Sequence, residues 1–503
     1  MTLSLRLSRA ISFNIIGKVI SIVTNLILLQ FLMTKVSKDI YGIGVIVLTF
    51  AGWLSVLDMG VGASVMKYIS EFRASGEHGK LEKVFNTSLT FYMGVGLLIG
   101  FSLFILSFFY EKVFSIQHEY IEIGRYLFYI CSASAFFNWL FIPFREALAG
   151  MHRFDIISKV DSLSNITNLA FAYAVFFFTD SFPVYVAVSQ ATTILYQFSF
   201  IYMIKKCLPS LKISFFYFDK KTFMFIMKFS SYILAGMLCN IFIFQTDNIL
   251  IGIYVAASGV TVYYAASRLQ EVARSINALF GGPLMAAFSE LEGKKEYDKQ
   301  LICLFKYTRI ETALFVPIVL IMFIFAEQFI INWLGNDFVL SVSILHVLLL
   351  WWLFNGTLMT AQSVMTGKGR MEVFLYPNIL NAIANLVLSL ILVRYLGIIG
   401  VALGTSIPMI ITTVFLIKSI LKRLNVCPSE YWKKSISPNL LYYLMVCIMA
   451  ASVVSIFEVK SIFLTVSIMG MVYGVNCLIY FQFFLKQDEK AFIKGFIESK
   501  KAM

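Results

Sequence analysis

The sequence predicts an all-α, polytopic integral membrane protein with about fourteen transmembrane helices. Hydrophobic residues make up 59% of the 503-residue chain, against roughly 45 to 50% in soluble domains. Only 14% of the residues are charged, against roughly 25% in soluble domains. Apolar runs of about 20 residues, the length that crosses a ~30 Å hydrocarbon core, recur between the charged breaks. These observations exclude a soluble monomer.

The apolar runs, read in order, give the predicted spans. Their approximate bounds are 11–33, 41–63, 85–109, 124–148, 157–178, 183–204, 226–252, 260–288, 305–326, 340–363, 373–394, 398–417, 439–457 and 461–485. The largest predicted outer loops, 110–123 and 327–339, are short. A segment of that length is too small for a separate soluble domain.

Membrane topology explains the net charge of +13 without nucleic acid. Cytoplasmic loops of membrane proteins concentrate Lys and Arg. With the N-terminus inside, the outer loops of the predicted layout carry only Lys35, Lys38, Lys112, Arg394 and Lys460 of the 41 Lys and Arg. We therefore expect both termini in the cytoplasm.

The sequence lacks the motifs of several functional classes. There is no G-x-x-x-x-G-K-[ST] phosphate loop, which argues against ATP hydrolysis. The four His residues lack metal-ligand spacing, so we expect no metal site. We also expect no cofactor, and the short outer loops argue against catalytic residues. The seven Cys residues lie in spans or cytoplasmic segments, where we expect no disulfide. Asn14, Lys18 and Asn25 interrupt the first apolar run, which therefore predicts an uncleaved helix instead of a signal peptide.

An internal repeat divides the chain. At a shift of 219 residues, Ser70–Glu71 aligns with Ser289–Glu290, and at a shift of 217, Gly150 and Arg153 align with Gly367 and Arg370. Such repeats are common in transporters. We predict a six-helix half at 1–204, a cytoplasmic linker at 205–225, a second six-helix half at 226–421, helices 13 and 14 at 422–485, and a cytoplasmic tail at 486–503.

Polar residues follow one face of three predicted helices. On helix 1, Asn14, Lys18 and Asn25 have the spacing of a single helix face. Helix 5 carries Asp161, Asn165 and Asn168, and helix 11 carries Asn378, Asn381 and Asn385. Hydrogen bonding between helices explains any single Asn. For the three stripes together we favour a hydrated cavity lined by Asn14, Asn25, Asn168, Asn381 and Asn385.

Helix 8 is the most charged predicted span. Glu271 lies three residues from both Arg268 and Arg274, which allows an ion-pair ladder within the helix. A cationic surplus here, with Lys18 and with Arg309 on helix 9, predicts a positive field suited to a phosphate-bearing ligand. The Arg145–Glu146 pair, like Arg125, Lys228 and Lys306, lies near a span end, where snorkelling explains a charge. Arg145 is the strongest candidate of that group.

Carboxylates inside spans are candidates for ion coupling. A buried carboxylate can carry a proton or help to hold Na+. Asp247 lies toward the outer end of helix 7 and is the better candidate. Asp58, near the inner end of helix 2, has the alternative explanations of helix capping or pairing with Lys67. Glu271 is a third candidate.

The segment 57–68, with Asp58-Met59-Gly60 near its start, resembles the Asp-x-Gly stretch that ends helix 2 in bacterial polysaccharide repeat-unit flippases. These proteins belong to the multidrug, oligosaccharidyl-lipid and polysaccharide exporter superfamily. The opening helix with Asn14 and Gly17, the Asp247 stretch, Tyr263–Ala266 and the layout of two six-helix halves plus two helices are also similar, so the resemblance covers essentially the whole chain.

The resemblance implies a flippase for undecaprenyl-pyrophosphate-linked oligosaccharides in the bacterial inner membrane, serving O-antigen or capsule synthesis. Its headgroup contacts would map to Lys18, Arg268, Arg274 and Arg309. The implied partners are the lipid-linked oligosaccharide, a coupling H+ or Na+, and possible polysaccharide polymerase and chain-length proteins. A drug exporter of the same superfamily is the alternative, disfavoured by the cationic surplus. A membrane glycosyltransferase or polymerase is a third, disfavoured by the short outer loops.

Overall fold

The computed structural model describes residues 3–457 and 459–485; the side chains of 3–16, 74, 229, 231–233, 235, 237, 282, 283 and 286 lie outside that description. Every regular element within these ranges is helical. The helices are α1 Leu3–Lys35, α2 Lys38–Trp53, α3 Val61–Ala74, α4 His78–Leu106, α5 Tyr110–Val113, α6 Ile121–Leu140, α7 Ile142–Gly150, α8 Phe154–Phe178, α9 Phe182–Cys207, α10 Lys220–Phe244, α11 Thr246–Tyr254, α12 Ala257–Gly293, α13 Tyr297–Ile324, α14 Ala326–Leu334, α15 Val339–Asn355, α16 Met359–Gly367, α17 Glu372–Arg423, α18 Pro428–Tyr431, α19 Leu440–Ile456 and α20 Ile462–Ile479.

The predicted class, an all-α polytopic membrane protein, is confirmed. In the described ranges, ten helical segments are long and apolar enough to cross a membrane. One of them, α17, covers two predicted spans, because Gly397 (φ 56°, ψ −133°) interrupts it. The helices α8 and α12 are long but are not among the ten, because they carry the polar residues singled out above. The number fourteen itself stays a prediction.

The helix boundaries repeat along the chain. The starts of α2 and α12, Lys38 and Ala257, are 219 residues apart, and so are the starts of α4 and α13, His78 and Tyr297. Later in the repeat the shift is 217, as between α7 and α16. This regularity supports the internal repeat predicted from loop residues.

Packing divides the chain at a different place from the repeat. The two compact units are Met1–Tyr264 and Ala265–Met503. The first unit therefore includes α10 and α11, and α10 packs on α3 through a hydrogen bond of 2.7 Å between the Ser64 and Ser230 hydroxyls. The predicted linker at 205–225 lies inside this unit.

The predicted second span, 41–63, is broken in the structure. After α2 a 3₁₀ turn, Leu54–Asp58, leads to Met59 (φ 53°) and Gly60 (φ 77°), and α3 then begins at Val61. Two consecutive residues in the left-handed region end any right-handed helix, and Gly60 adopts this conformation at little cost because it has no Cβ. The break places Asp58 beside the N-terminus of α3.

Each unit has its own apolar core. In the first unit, Val65 of α3, Phe85 of α4 and Phe144 of α7 are fully buried in one cluster, to which α9 adds Phe200. In the second unit one cluster surrounds Phe288, and another joins α13, α19 and α20. The polar residues described below therefore project from helices that dense packing holds in place.

The segment between α9 and α10 is held along α4. The Asn86 amide donates to the Lys212 carbonyl at 2.8 Å, and its oxygen accepts from the Ser214 backbone N–H at 2.9 Å. One turn later the Thr90 hydroxyl donates to the Tyr217 carbonyl at 2.8 Å. The predicted cytoplasmic linker is thus ordered along α4, because side chains of α4 form hydrogen bonds with its backbone N–H and C=O groups.

Candidate functional site

The charged residues of α12 that sequence analysis selected lie in the second unit. Arg274 forms an ion pair with Glu271 one turn earlier, at 2.8 Å, and both side chains are 40% exposed. Arg268 is exposed on the same helix. The pair is the first step of the ion-pair ladder considered above. The segment 268–274 presents two guanidinium groups and one carboxylate, which leaves a net positive charge.

Arg309 has a structural partner in the second unit. It is buried, and its guanidinium donates to the Phe484 carbonyl at 2.6 Å. This bond ties α13 to the turn that follows α20. The contact anchors the turn after α20 to α13, and the headgroup contact of Arg309 stays a prediction.

In the first unit, Lys18 and Arg145 are accessible. Lys18 is exposed on α1, which packs closely on α8 because Gly17 lies against Ser158. Arg145 of α7 donates to Asp161 of α8 at 2.9 Å, and both side chains are nearly half exposed. The ion partner of Arg145 is therefore Asp161, whereas the sequence analysis grouped Arg145 with its neighbour Glu146.

The structure places the residues of the predicted polar cavity lining in different surroundings. Asn385 is fully buried and donates to the Thr405 hydroxyl at 3.0 Å, and Asn381, 2% exposed, donates to the Met409 sulfur at 3.2 Å. Both bonds join the two halves of α17, so these residues line a helix contact and not an open cavity. A buried side-chain amide between packed helices is not in contact with water, so it forms its hydrogen bond with the neighbouring helix.

The other three asparagines differ from one another. Asn168 is buried and donates to the Thr193 hydroxyl of α9 at 3.4 Å, which is again a contact between helices. Asn25 is exposed on α1 and donates to the Ser21 carbonyl at 2.6 Å. The Asn14 side chain lies outside the described residues. Among the residues of the predicted lining whose side chains the structure describes, only Asn25 is exposed.

Asp58 acts as a cap in this structure. Its carboxylate accepts from the backbone N–H of Gly60 at 3.1 Å and of Gly62 at 3.4 Å, and from the Tyr92 hydroxyl of α4. The first N–H groups of a helix lack partners within the helix, and a carboxylate there satisfies them. The geometry fits the capping alternative given for Asp58.

Asp247 is buried near the start of α11, with 2% of its surface exposed. It accepts a hydrogen bond from the Tyr263 hydroxyl of α12. Gln245 separates α10 from α11, so the predicted span 226–252 is two helices, and Asp247 lies in the first turn of the second. A carboxylate at a helix N-terminus is favoured by the helix dipole.

Sequence analysis missed Glu311. It is an acid inside the predicted span 305–326, and that position alone is the signal that would have found it. In the structure it is 2% exposed on α13. Tyr92, which donates to Asp58, had no such signal among the 25 Tyr residues of the chain. Tyr263, which donates to Asp247, was noted only as part of the stretch that resembles the flippase family.

A charged pair at the start of α8 lies outside the predicted spans. Arg153 forms two parallel hydrogen bonds with Asp155, at 2.9 and 3.0 Å. The hydrogen bond and charge of this guanidinium lower the pKa of the Asp155 carboxyl. Within the described residues, no group of three or more His, Cys, Asp and Glu is placed to hold a metal ion.

Similarity to known proteins extends over most of the chain. The family described as "Polysaccharide biosynthesis protein" matches residues 8–291. A putative O-antigen transporter from Shigella flexneri is 22% identical over 414 residues, which are 80% of this chain and 95% of that protein.

Solved structures show the same fold. The lipid II flippase MurJ in an inward closed conformation has a TM-score of 0.69 at 19% identity, over 93% of this chain and 98% of its own. A multidrug resistance MATE family transporter of the MOP superfamily, in an inward-facing conformation, has a TM-score of 0.68 at 16% identity, over 82% and 96%.

Proposed function

Because the chain belongs to the polysaccharide biosynthesis protein family, we propose that it is a flippase for undecaprenyl-pyrophosphate-linked oligosaccharide repeat units. It is a multi-pass membrane protein with a transporter fold. In this proposal it lies in the bacterial inner membrane with both termini in the cytoplasm and serves O-antigen or capsule synthesis. A polysaccharide polymerase and a chain-length protein are its proposed partners.

The substrate explains why such a protein is needed. A sugar chain with a pyrophosphate carries many hydrogen-bonding groups and at least two negative charges. Moving even one unpaired polar group into hydrocarbon costs several kcal/mol. A polar surface with fixed cations replaces water around the headgroup, while the lipid tail stays in the bilayer.

The observation that carries the proposal is the charge on α12. Arg268 and Arg274 lie within a predicted span, Glu271 is the one charged residue between them in sequence, and both arginine side chains are accessible. Charged side chains inside a membrane are costly and usually face a lumen or carry function. Guanidinium groups bind phosphate through paired hydrogen bonds. We assign the headgroup contact to Arg268 and Arg274, with Lys18 and Arg145 as accessible cations of the first unit.

Alternating access is the proposed mechanism. Rocking of repeats around a central site is common in transporters built from duplicated halves. Pro317 inside α13 and the interruption of α17 at Gly397 are places where such helices can bend. Asp247, Asp58 and Glu271 remain the proposed candidates for coupling to H+ or Na+, with Asp247 first because it is the most deeply buried of the three.

Alanine substitution at two arginines tests the function. Arg274→Ala should abolish complementation of surface polysaccharide in a flippase-null strain, because it removes a proposed phosphate contact. Arg125→Ala should largely retain complementation, because Arg125 pairs with Glu111 at 3.4 Å near a span end. Protein levels in the membrane are matched by immunoblot.

Arg274→Lys is the conservative control, since it keeps the charge but not the forked donor geometry, and it should give intermediate complementation. The Glu271→Ala, Arg274→Ala double variant removes the ion pair without leaving a lone carboxylate. Full complementation by that double variant, or failure only in Arg125→Ala, would contradict the assignment.

A further inference from the structure

The second unit contains a buried carboxyl group that the proposed headgroup site does not use. Glu311 lies in the middle of α13, with 2% of its surface exposed. Its Oε2 accepts from the backbone N–H of Thr360 at 3.1 Å and from the hydroxyl of the same residue. Its Oε1 has no hydrogen-bond partner among the residues that the structure describes.

Neutral polar groups surround this carboxyl along α13. One turn before it, the Thr308 hydroxyl lies 3.2 Å from the Tyr431 hydroxyl, which donates to the Thr357 carbonyl at 2.7 Å. Directly after it, the Thr312 hydroxyl accepts from the Asn439 amide at 3.1 Å. All of these polar side chains are buried, so bulk water does not solvate the site.

No cation neutralises Glu311 in the described part of the chain. Arg309, two residues earlier, directs its guanidinium to the Phe484 carbonyl, and Lys434 pairs with Glu430 at 2.6 Å. Glu311 forms no ion pair with a Lys or Arg of the described residues. Among the described residues, the other titratable groups on elements packed against α13 are Glu327, His346, Tyr431, Lys433, Tyr442, Tyr443, Cys447, Tyr473 and Cys477.

An ionised carboxylate in this position would have a large unfavourable free energy of burial. Burying an unpaired charge costs far more than burying a neutral hydrogen-bonded group, and one residue, Thr360, supplies both observed donors. A proton on the carboxyl removes that cost. We propose that Glu311 is a proton-binding site of the second unit and that it carries a proton in the conformation described here.

The location of the donors suggests how the proton is released. Both belong to Thr360, in the first turn of α16, and the short link 356–358 separates α16 from α15. Movement of α16 away from α13 would hydrate the carboxyl and let the proton leave. Coupling of this release to transport rests on the proposed function, whereas the proton site itself does not.

Infrared spectroscopy of the purified full-length protein in lipid nanodiscs tests the site directly. At neutral pH the wild type should show the carbonyl stretch of a protonated carboxyl, with the usual shift in D₂O, and Glu311→Gln should lose that component. Glu311→Asp should keep a protonated carboxyl at a changed frequency. Glu77→Gln is the matched control and should leave the component unchanged, because Glu77 pairs with Lys80 at the surface.

Identical carboxyl spectra for the wild type and a folded Glu311→Gln protein, as judged by size-exclusion elution, would overturn the proposal. If Glu311→Gln does not fold, an unchanged spectrum in Glu311→Asp has the same meaning. A wild-type component that is absent in Na+ buffer and present in K+ buffer would assign the site to Na+ and also overturn it. The complementation test of Arg274 is independent of this band, so the two proposals fail separately.

Discussion

The second helix of the first repeat is broken, whereas the corresponding helix of the second repeat is continuous. At a shift of 219 residues, α2, the 3₁₀ turn and α3 together correspond to the single helix α12. Gly60, with φ 77°, corresponds to Leu279, which is helical. A side chain opposes the left-handed backbone, so Gly60 favours the break, whereas Met59 adopts the same region despite its side chain.

The position of the acid differs between the repeats as well. In the first unit Asp58 accepts from Tyr92, and the corresponding residues of the second unit are Asn277 and Glu311. The carboxyl thus lies on the second predicted helix of the first repeat and on the third predicted helix of the second repeat. The comparison teaches that the helix boundaries repeat, while this buried acid lies on a different helix in each copy.

Removal of the Asp58 carboxylate should have the largest effect on the broken helix. Asp58→Ala leaves two N–H groups and the fully buried Tyr92 hydroxyl without their acceptor. We expect a loss of about 2 to 3 kcal/mol in the free energy of unfolding, from the cap and the buried hydroxyl. Thermal unfolding of the purified protein in detergent, followed by circular dichroism, measures it.

Asn277→Ala is the matched variant in the second repeat. The Asn277 side-chain oxygen has no hydrogen-bond partner in the described residues, so we expect a loss of about 1 kcal/mol or less. Equal losses at both positions would show that the Asp58 cap contributes nothing specific.

Substitution of Gly60 should have a smaller effect. Gly60→Ala places a Cβ in the left-handed region and should destabilise the protein by about 1 to 2 kcal/mol. Gly281→Ala lies in continuous helix, where Ala is favoured by up to ~1 kcal/mol, and its Cβ would meet only the flexible Met359 side chain at 3.3 Å. We expect a change near zero there. A destabilisation of Gly281→Ala as large as that of Gly60→Ala would contradict the conformational explanation.

The smallest expected effect concerns the loop after α7. Arg153 lowers the pKa of Asp155, so the pair stabilises the folded state above the ordinary Asp pKa of about 3.9 and loses this contribution as pH falls through the lowered value. Arg153→Ala should cost up to ~1 kcal/mol at pH 7, since the pair is partly exposed. Thermal midpoints between pH 7 and 2.5 should converge with the wild type at the acidic end.

Arg370→Ala is the corresponding variant of the second repeat, where Glu372 occupies the position of Asp155 at a shift of 217. Both side chains are exposed, and no ion pair between them occurs in the described structure. A smaller effect at pH 7 is expected. An Arg153 effect that persists unchanged at pH 2.5 would show that packing of the arginine, and not its charge on Asp155, supplies the stability.

The sequence by itself determined the class of the protein, the order of its helices and the repeat, because these depend on local properties. Length and apolarity of a segment decide whether it can span a membrane, and loop residues mark the repeat period. Composition and spacing also identified accessible charges, such as Arg268 and Arg274, since few charges occur inside the spans.

Only the tertiary structure decided what each polar residue contacts. The sequence pattern placed Asn381 and Asn385 on one helix face, but the turn at Gly397 brings the two halves of α17 together and buries them there. Likewise Asp58 accepts a hydrogen bond from Tyr92, thirty-four residues away, and Glu311 accepts both of its hydrogen bonds from Thr360, forty-nine residues away. Hydrogen bonds act over about 3 Å in space, a distance that spacing along the chain does not specify.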